Sequence, residues 1–177
     1  MPIDAQTRLE VRRRARFACE FCSVSEVDCG GQLTIDHYQP KAKGGDDEIT
    51  NLIYSCNRCN SYKYDYWPEI DEDLPIWNPR NDPASIHFNE QDDGSLQPLS
   101  PIGAFTIIRL RLNRQRLIEF RRETKAKREN EALLAQYQNL IEVQERIWDQ
   151  MMEVVDEQQK LLNEQSLVLK ILMEDRR

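Results

Sequence analysis

Cysteine stands at positions 19, 22, 29, 56 and 59 of this 177-residue chain, and four of the five form two Cys-x-x-Cys pairs with 33 residues between them. A pair so spaced sets two thiolates on one turn, at the separation a tetrahedral ion accepts with zinc–sulfur bonds of about 2.3 Å. Cys19, Cys22, Cys56 and Cys59 therefore make a closed four-thiolate zinc site, structural because no coordination position is left for a substrate. Cys29 is left over and reads as a small buried hydrophobe or a spare thiol. No uncharged run approaches the ~20 residues that cross a bilayer, and the arginine-rich start lacks the apolar core of a signal peptide. A cytoplasmic, reducing location is expected, without membrane contact, where thiols hold metal rather than pair as disulfides. A domain this small needs the ion, whose binding contributes on the order of 10 kcal/mol to folding.

Punctuation divides the rest of the chain. All 6 glycines and 8 prolines lie at or before Gly103, so residues 104–177 should be helical. Residues 5–18 read as a short helix leading to the first cysteine pair. Gln32 to Tyr38 alternates as a half-buried strand does, between Gly30-Gly31 and Pro40. Residues 41–47 are a loop by composition, 49–54 a short return strand, and 57–66 a helix ended by Pro68. Residues 68–103 carry Pro, Asp and Asn without periodicity and should wrap irregularly around the core. Ser100-Pro101 has the form of an N-cap followed by proline at the first helical position.

From Leu133 the pattern is a strict heptad. Leu133, Leu140, Ile147, Val154, Leu161 and Val168 recur every seven residues, and so do their neighbours Leu134, Ile141, Trp148, Val155, Leu162 and Leu169. A third column, Tyr137, Gln144, Met151, Gln158, Gln165 and Leu172, is mixed. The stripe, roughly 60 Å long at 1.5 Å per residue, is too long to bury on a small domain, so 133–172 is expected to form a homodimer or to dock on a heterologous protein. Glu119 and Lys127 fall out of phase, which predicts a bend or phase shift around 121–130.

Charge is distributed unevenly along the chain. The net charge of −7 resolves into −1 over residues 1–60, −7 over 61–106, +7 over 107–128 and −6 over 129–177. Exposed charges are screened beyond roughly 8 Å at physiological salt, so a polyanion responds to a local basic run rather than to the total. Arg114, Arg121 and Arg122 in the basic run are candidate phosphate contacts, and Arg12–Arg14 form a second cluster. Lys41, Lys43, Arg58 and Lys63, around the cysteine-framed unit, are further candidates for DNA binding.

Between and after the cysteine pairs stand Asp36-His37, Gly44-Gly45, Asn51-Leu52, Asn60 and Lys63. "IDHYQPKAKGG…NLIYSCNRCNSYK" resembles the HNH endonuclease family over residues 19–63, and "NPRND…HF" with "SPIGAFTIIRLRLNRQRLIEFRR" looks like the C-terminal extension of one bacterial subgroup. The resemblance implies His37 as general base, Asp36 and Asn60 as ligands of a catalytic Mg or Mn ion, and Asn51 as the residue that orients the His37 ring. Asn60 stands where many members have histidine. The chemistry agrees with the resemblance: a neutral imidazole can take a proton from water at neutral pH, and a carboxylate suits a hard divalent ion. His87, the only other histidine, reads as a packing residue.

The expected fold is a small α+β protein. A ββα-metal HNH nuclease core with a four-cysteine zinc site (1–66) precedes an irregular wrap (67–103), a basic helical segment (104–128) and a heptad helix (129–177) with coiled-coil character. The expected function is metal-dependent DNA cleavage, in a setting such as anti-phage defence or restriction. A zinc-stabilised nucleic-acid-binding module without cleavage, or an effector subunit of a larger defence complex, is the alternative.

Overall fold

A computed structural model describes residues 3–174, and the chain divides into two compact units, Met1–Lys125 and Ala126–Arg177. Asp4 starts helix α1 (Ala5–Arg14), its carboxylate accepting from the amides of Gln6 and Thr7. The helix stops four residues short of the expected end: Arg16 and Phe17 both take positive φ, which turns the chain into the first cysteine knuckle. A single-turn helix, α2 (Glu26–Cys29), follows behind a Ser25–Asp28 capping box.

Strands β1 (Thr34–His37) and β2 (Leu52–Ser55) pair antiparallel, with Asp36 opposite Ile53 and His37 opposite Leu52. All four residues of β2 are buried, which explains why that stretch lacks the alternation of a half-buried strand. Helix α3 (Asn57–Lys63) follows at once, with the Cys56 sulfur accepting from the Cys59 amide at its start. The β1–β2 connection folds back on itself through Gly44 and Gly45. A Cβ at position 45 would lie 1.9 Å from the carbonyl oxygen of Gln39, so only glycine fits there.

The segment expected to be irregular contains a helical turn, α4 (Ala84–His87), and a hairpin of β3 (Phe88–Glu90) with β4 (Leu96–Pro98). The amide of Leu96 donates to Asn113 Oδ1 at 2.7 Å, and Asn113 Nδ2 donates to the Leu96 carbonyl at 2.8 Å, so an asparagine side chain substitutes for a neighbouring strand. Helix α5 (Pro101–Arg109) begins as its sequence predicts, with Ser100 Oγ accepting from the Gly103 amide. One hydrophobic cluster joins Val11, Leu33, Leu52 and Ile53 to Ile76, Trp77, Phe88, Leu110, Leu112 and Leu117. Residues 67–103 and the start of the basic segment thus pack into the same core as the cysteine-framed hairpin.

Helix α6 (Gln115–Glu174) has no break between 121 and 130, so the change of phase occurs inside an uninterrupted helix. The upstream turns follow their own packing, with Leu117 and Arg121 buried. In the second unit the twelve residues of the two apolar columns are each at least 48 % exposed, Trp148 the most at 64 %. The Leu172 side chain and residues 175–177 of the heptad segment lie outside the described residues.

Arg121 was expected to meet DNA, and the fold places it otherwise. It is 8 % exposed and donates to the carbonyls of Gly94, at 2.6 Å, and Leu112. Arg121→Ala should lower unfolding stability by about 2 kcal/mol, because it leaves two buried carbonyls short of their donor, whereas exposed Arg122→Ala should be nearly neutral. Denaturant unfolding of the two variants side by side checks this.

Candidate functional site

The cysteine cluster is the more completely defined of two neighbouring sites. All four sulfurs, of Cys19, Cys22, Cys56 and Cys59, are buried and lie within 4.8 Å of one another. Cys22 Sγ and Cys56 Sγ are 3.7 Å apart, far beyond the ~2.05 Å of a disulfide and close to the ~3.8 Å edge of a tetrahedron with 2.3 Å bonds. The donor set and spacing fit zinc. The sulfurs shift one another's proton affinity strongly, Cys56 downward and Cys59 upward, because each hydrogen bond among them favours one thiolate at its neighbour's expense. Arg114 lies against this cluster rather than at a free surface. Its guanidinium stacks over the Tyr62 ring at 5.7 Å and donates to the carbonyls of Leu110 and Arg111. Cys29 is exposed, outside the cluster.

The second site lies where β1 ends. Asp36 is mostly buried, and burial raises its pKa against the opposing pull of Lys63. Lys63, the last residue of α3, is 1 % exposed; its ammonium donates to the His37 carbonyl at 2.6 Å and lies 3.1 Å from Asp36 Oδ2. A lysine so buried keeps its charge only if paired, and Asp36 is the pairing group. Lys63 therefore joins α3 to β1 inside the protein and is not a phosphate contact. Asp36 Oδ2, despite this ion pair, has no aligned hydrogen bond. Asn60 is partly exposed on α3, three residues before Lys63 and so on the same face one turn away. A buried carboxylate oxygen without a hydrogen bond is a hard donor of the kind magnesium and manganese take, and an amide oxygen such as that of Asn60 is another.

The His37 ring is partly exposed, and its Nε2 lies 2.7 Å from Asp47 Oδ1. Asp47 Oδ2 accepts from Lys41 Nζ at 2.5 Å, and Lys41 followed by His37 holds the Asp47 carboxyl below its ordinary range. Asn51 was expected to orient the ring, but its side chain is engaged elsewhere. Its Oδ1 accepts from the Gln39 amide at 2.8 Å, and its Nδ2 donates to the carbonyls of Gln39 and Asp46 at 3.1 and 2.9 Å. Asn51 clasps the loop that carries Asp47, and Asp47 meets the ring. The acidic pair after Gly44-Gly45 was visible in the sequence, but which carboxylate would reach the histidine depends on the loop's path.

Lys43 Nζ pairs with Glu69 at 2.5 Å, and Arg58 and Arg122 are exposed. Elsewhere in the basic run Arg109 and Arg111 cover the rings of Tyr66 and Tyr62, each at 4.9 Å, and Lys125 pairs with Asp92 at 2.6 Å. In the N-terminal cluster Arg12 forms a bidentate pair with Glu26, while Arg14 donates to the carbonyls of Ile49 and Leu52. His87 is buried, its Nδ1 2.7 Å from Ser100 Oγ, where it ties α4 to the start of α5. Among the described residues no helix is long and apolar enough to cross a membrane.

Residues 19–65 match the family model of the HNH endonuclease, the same stretch that carries the resemblance and that holds the cysteine cluster, Asp36-His37, Asn60 and Lys63. No curated protein and no solved structure matches the chain.

One equivalent of zinc per chain is expected by elemental analysis of gently purified protein. Cys56→Ser should release it and unfold the first unit, since folding is coupled to an affinity that a missing thiolate lowers steeply. Circular dichroism and zinc content of that variant decide the matter together.

Proposed function

We propose that this chain is a metal-dependent HNH endonuclease that hydrolyses phosphodiester bonds of DNA. The observation that carries the reading is that Asp36 and His37 end one strand within the matched stretch, with Asn60 on the helix that Lys63 ties to that strand. In this reading Asp36 and Asn60 hold a magnesium or manganese ion, which when bound stabilises the charge that develops on phosphate and leaving oxygen. His37 acts as general base toward the attacking water. Lys63 opposes the effect of burial on Asp36 and holds it in place, and Asn51 fixes the connecting loop. The four-thiolate zinc supplies no chemistry; it holds the hairpin and helix at their separation.

DNA contacts in this reading fall to Arg58 and Arg122, and to Lys43, whose exposed ion pair with Glu69 a phosphate can replace at little cost because such pairs contribute ~1 kcal/mol or less, while Lys41 stays with Asp47. Arg114 and Arg121 drop out of the set. The apolar columns of the second unit pair with a second copy of the chain, since so continuous an exposed stripe is not stable in water. A dimer also gives two single-strand active centres, the requirement for cutting both strands. The setting is cytoplasmic.

Purified protein with supercoiled plasmid and Mg²⁺ or Mn²⁺ should convert it to nicked or linear forms, and EDTA should stop the reaction. His37→Ala should abolish cleavage while leaving the melting temperature and DNA binding nearly unchanged, because the loss is confined to the transition state. Cleavage by that variant near the wild-type rate overturns the assignment of the base. Multi-angle light scattering at micromolar concentration should return twice the chain mass; a monomer mass overturns pairing through 133–169.

A further inference from the structure

The loop between β1 and β2 brings a second carboxylate to the histidine, and the roles of Asp36, Asn60 and Asn51 do not account for it. Asp47 bridges two cations or donors: Oδ1 faces Nε2 of His37 at 2.7 Å and Oδ2 faces Nζ of Lys41 at 2.5 Å. An ionised carboxylate only accepts hydrogen bonds, so the proton between Asp47 and the ring sits on Nε2. A neutral imidazole carries one ring proton, and Nδ1 is then the nitrogen with a free lone pair. The carboxylate is held from three directions. Lys41 grips its far oxygen, Asn51 donates to the carbonyl of the preceding residue, Asp46, and the Gly45 amide donates to the Pro40 carbonyl at 3.1 Å to close the loop.

We propose that Asp47 is a positioning residue, anchored by Lys41, that fixes His37 in its Nε2–H tautomer and so directs the Nδ1 lone pair at the attacking water. The catalytic part of this rests on the endonuclease reading; the tautomer does not. In the step it serves, one proton passes from water to Nδ1 while the Nε2 proton stays in place. The imidazolium so formed faces the Asp47 carboxylate, which stabilises it without taking a proton, and a later proton acceptor in solvent regenerates the ring.

Asp47→Asn tests the assignment. Lys41 can only donate, so it takes the amide oxygen and turns the amide NH₂ toward Nε2. The ring must then accept at Nε2 and carry its proton on Nδ1, where it blocks the base. Long-range ¹H–¹⁵N spectra of labelled protein at about pH 8.5, well above the ordinary imidazole range near 6.5, read the tautomer directly. The chain has two histidines, and His87, with Nδ1 against Ser100, serves as the internal reference for an intact fold. The expected result is the Nε2–H form in the wild type and Nδ1–H in Asp47→Asn. With it should come a fall in kcat on the order of 10²-fold or more, little change in KM, and partial recovery in Asp47→Glu. An unchanged tautomer in Asp47→Asn, an Nδ1–H wild type, or a switched tautomer with undiminished kcat each overturns the proposal. A wild type that does not cut DNA overturns the endonuclease reading, while the spectra still decide whether Asp47 sets the tautomer.

Discussion

Four sulfurs crowded within 4.8 Å in a buried setting are the interaction on which the rest of this structure depends. Thiolates so placed repel one another, and a cation shared by all four is what offsets that repulsion. Because two of the sulfurs precede the hairpin and two bracket the start of α3, the cluster fixes the angle between strand and helix. Arg114 and its stack on Tyr62 extend the same clamp to the start of α6. The wrap of residues 67–103 then has a surface to pack on. Its aromatic residues finish the core, with Trp77 edge-on to Phe88 at 5.2 Å and to Phe21 at 6.4 Å.

Much of the basic content that invites a nucleic-acid reading serves to hold the first unit together. Arg12 and Arg14 join α1 to Glu26 and to backbone carbonyls around β2, Arg80 pairs with the buried Glu20, and Arg121 fills the carbonyls of two turns. A guanidinium has five donors in a planar fork and stays charged, so it can satisfy several carbonyls where regular secondary structure is short. With strands of three and four residues, this protein has many carbonyls that no ladder reaches.

Features that repeat or cap were legible in the sequence. The paired cysteines, the strand with Asp36-His37 at its end, the Ser100-Pro101 helix start and the heptad columns each depend on near neighbours along the chain, and the structure has each of them. Features that depend on partners distant in sequence were not legible. The β3–β4 hairpin has strands too short to show alternation, and its outer edge is completed by Asn113, well downstream. Charge alone does not distinguish a lysine that meets solvent from one like Lys63 that is sealed against Asp36. The partner of the His37 ring is hidden for the same reason, since the path of the loop brings Asp47 to it and turns Asn51 to the backbone.

Lys63 gives the end of β1 a property that Asp36 and His37 alone would lack. Its ammonium is a resident counter-ion, mounted on α3 and already bonded to the strand that carries Asp36 and His37. Here one side chain supplies both the cationic neighbour of the acid and the tether between helix and strand. A divalent ion taken by Asp36, as proposed, would meet a carboxylate that is already held in place.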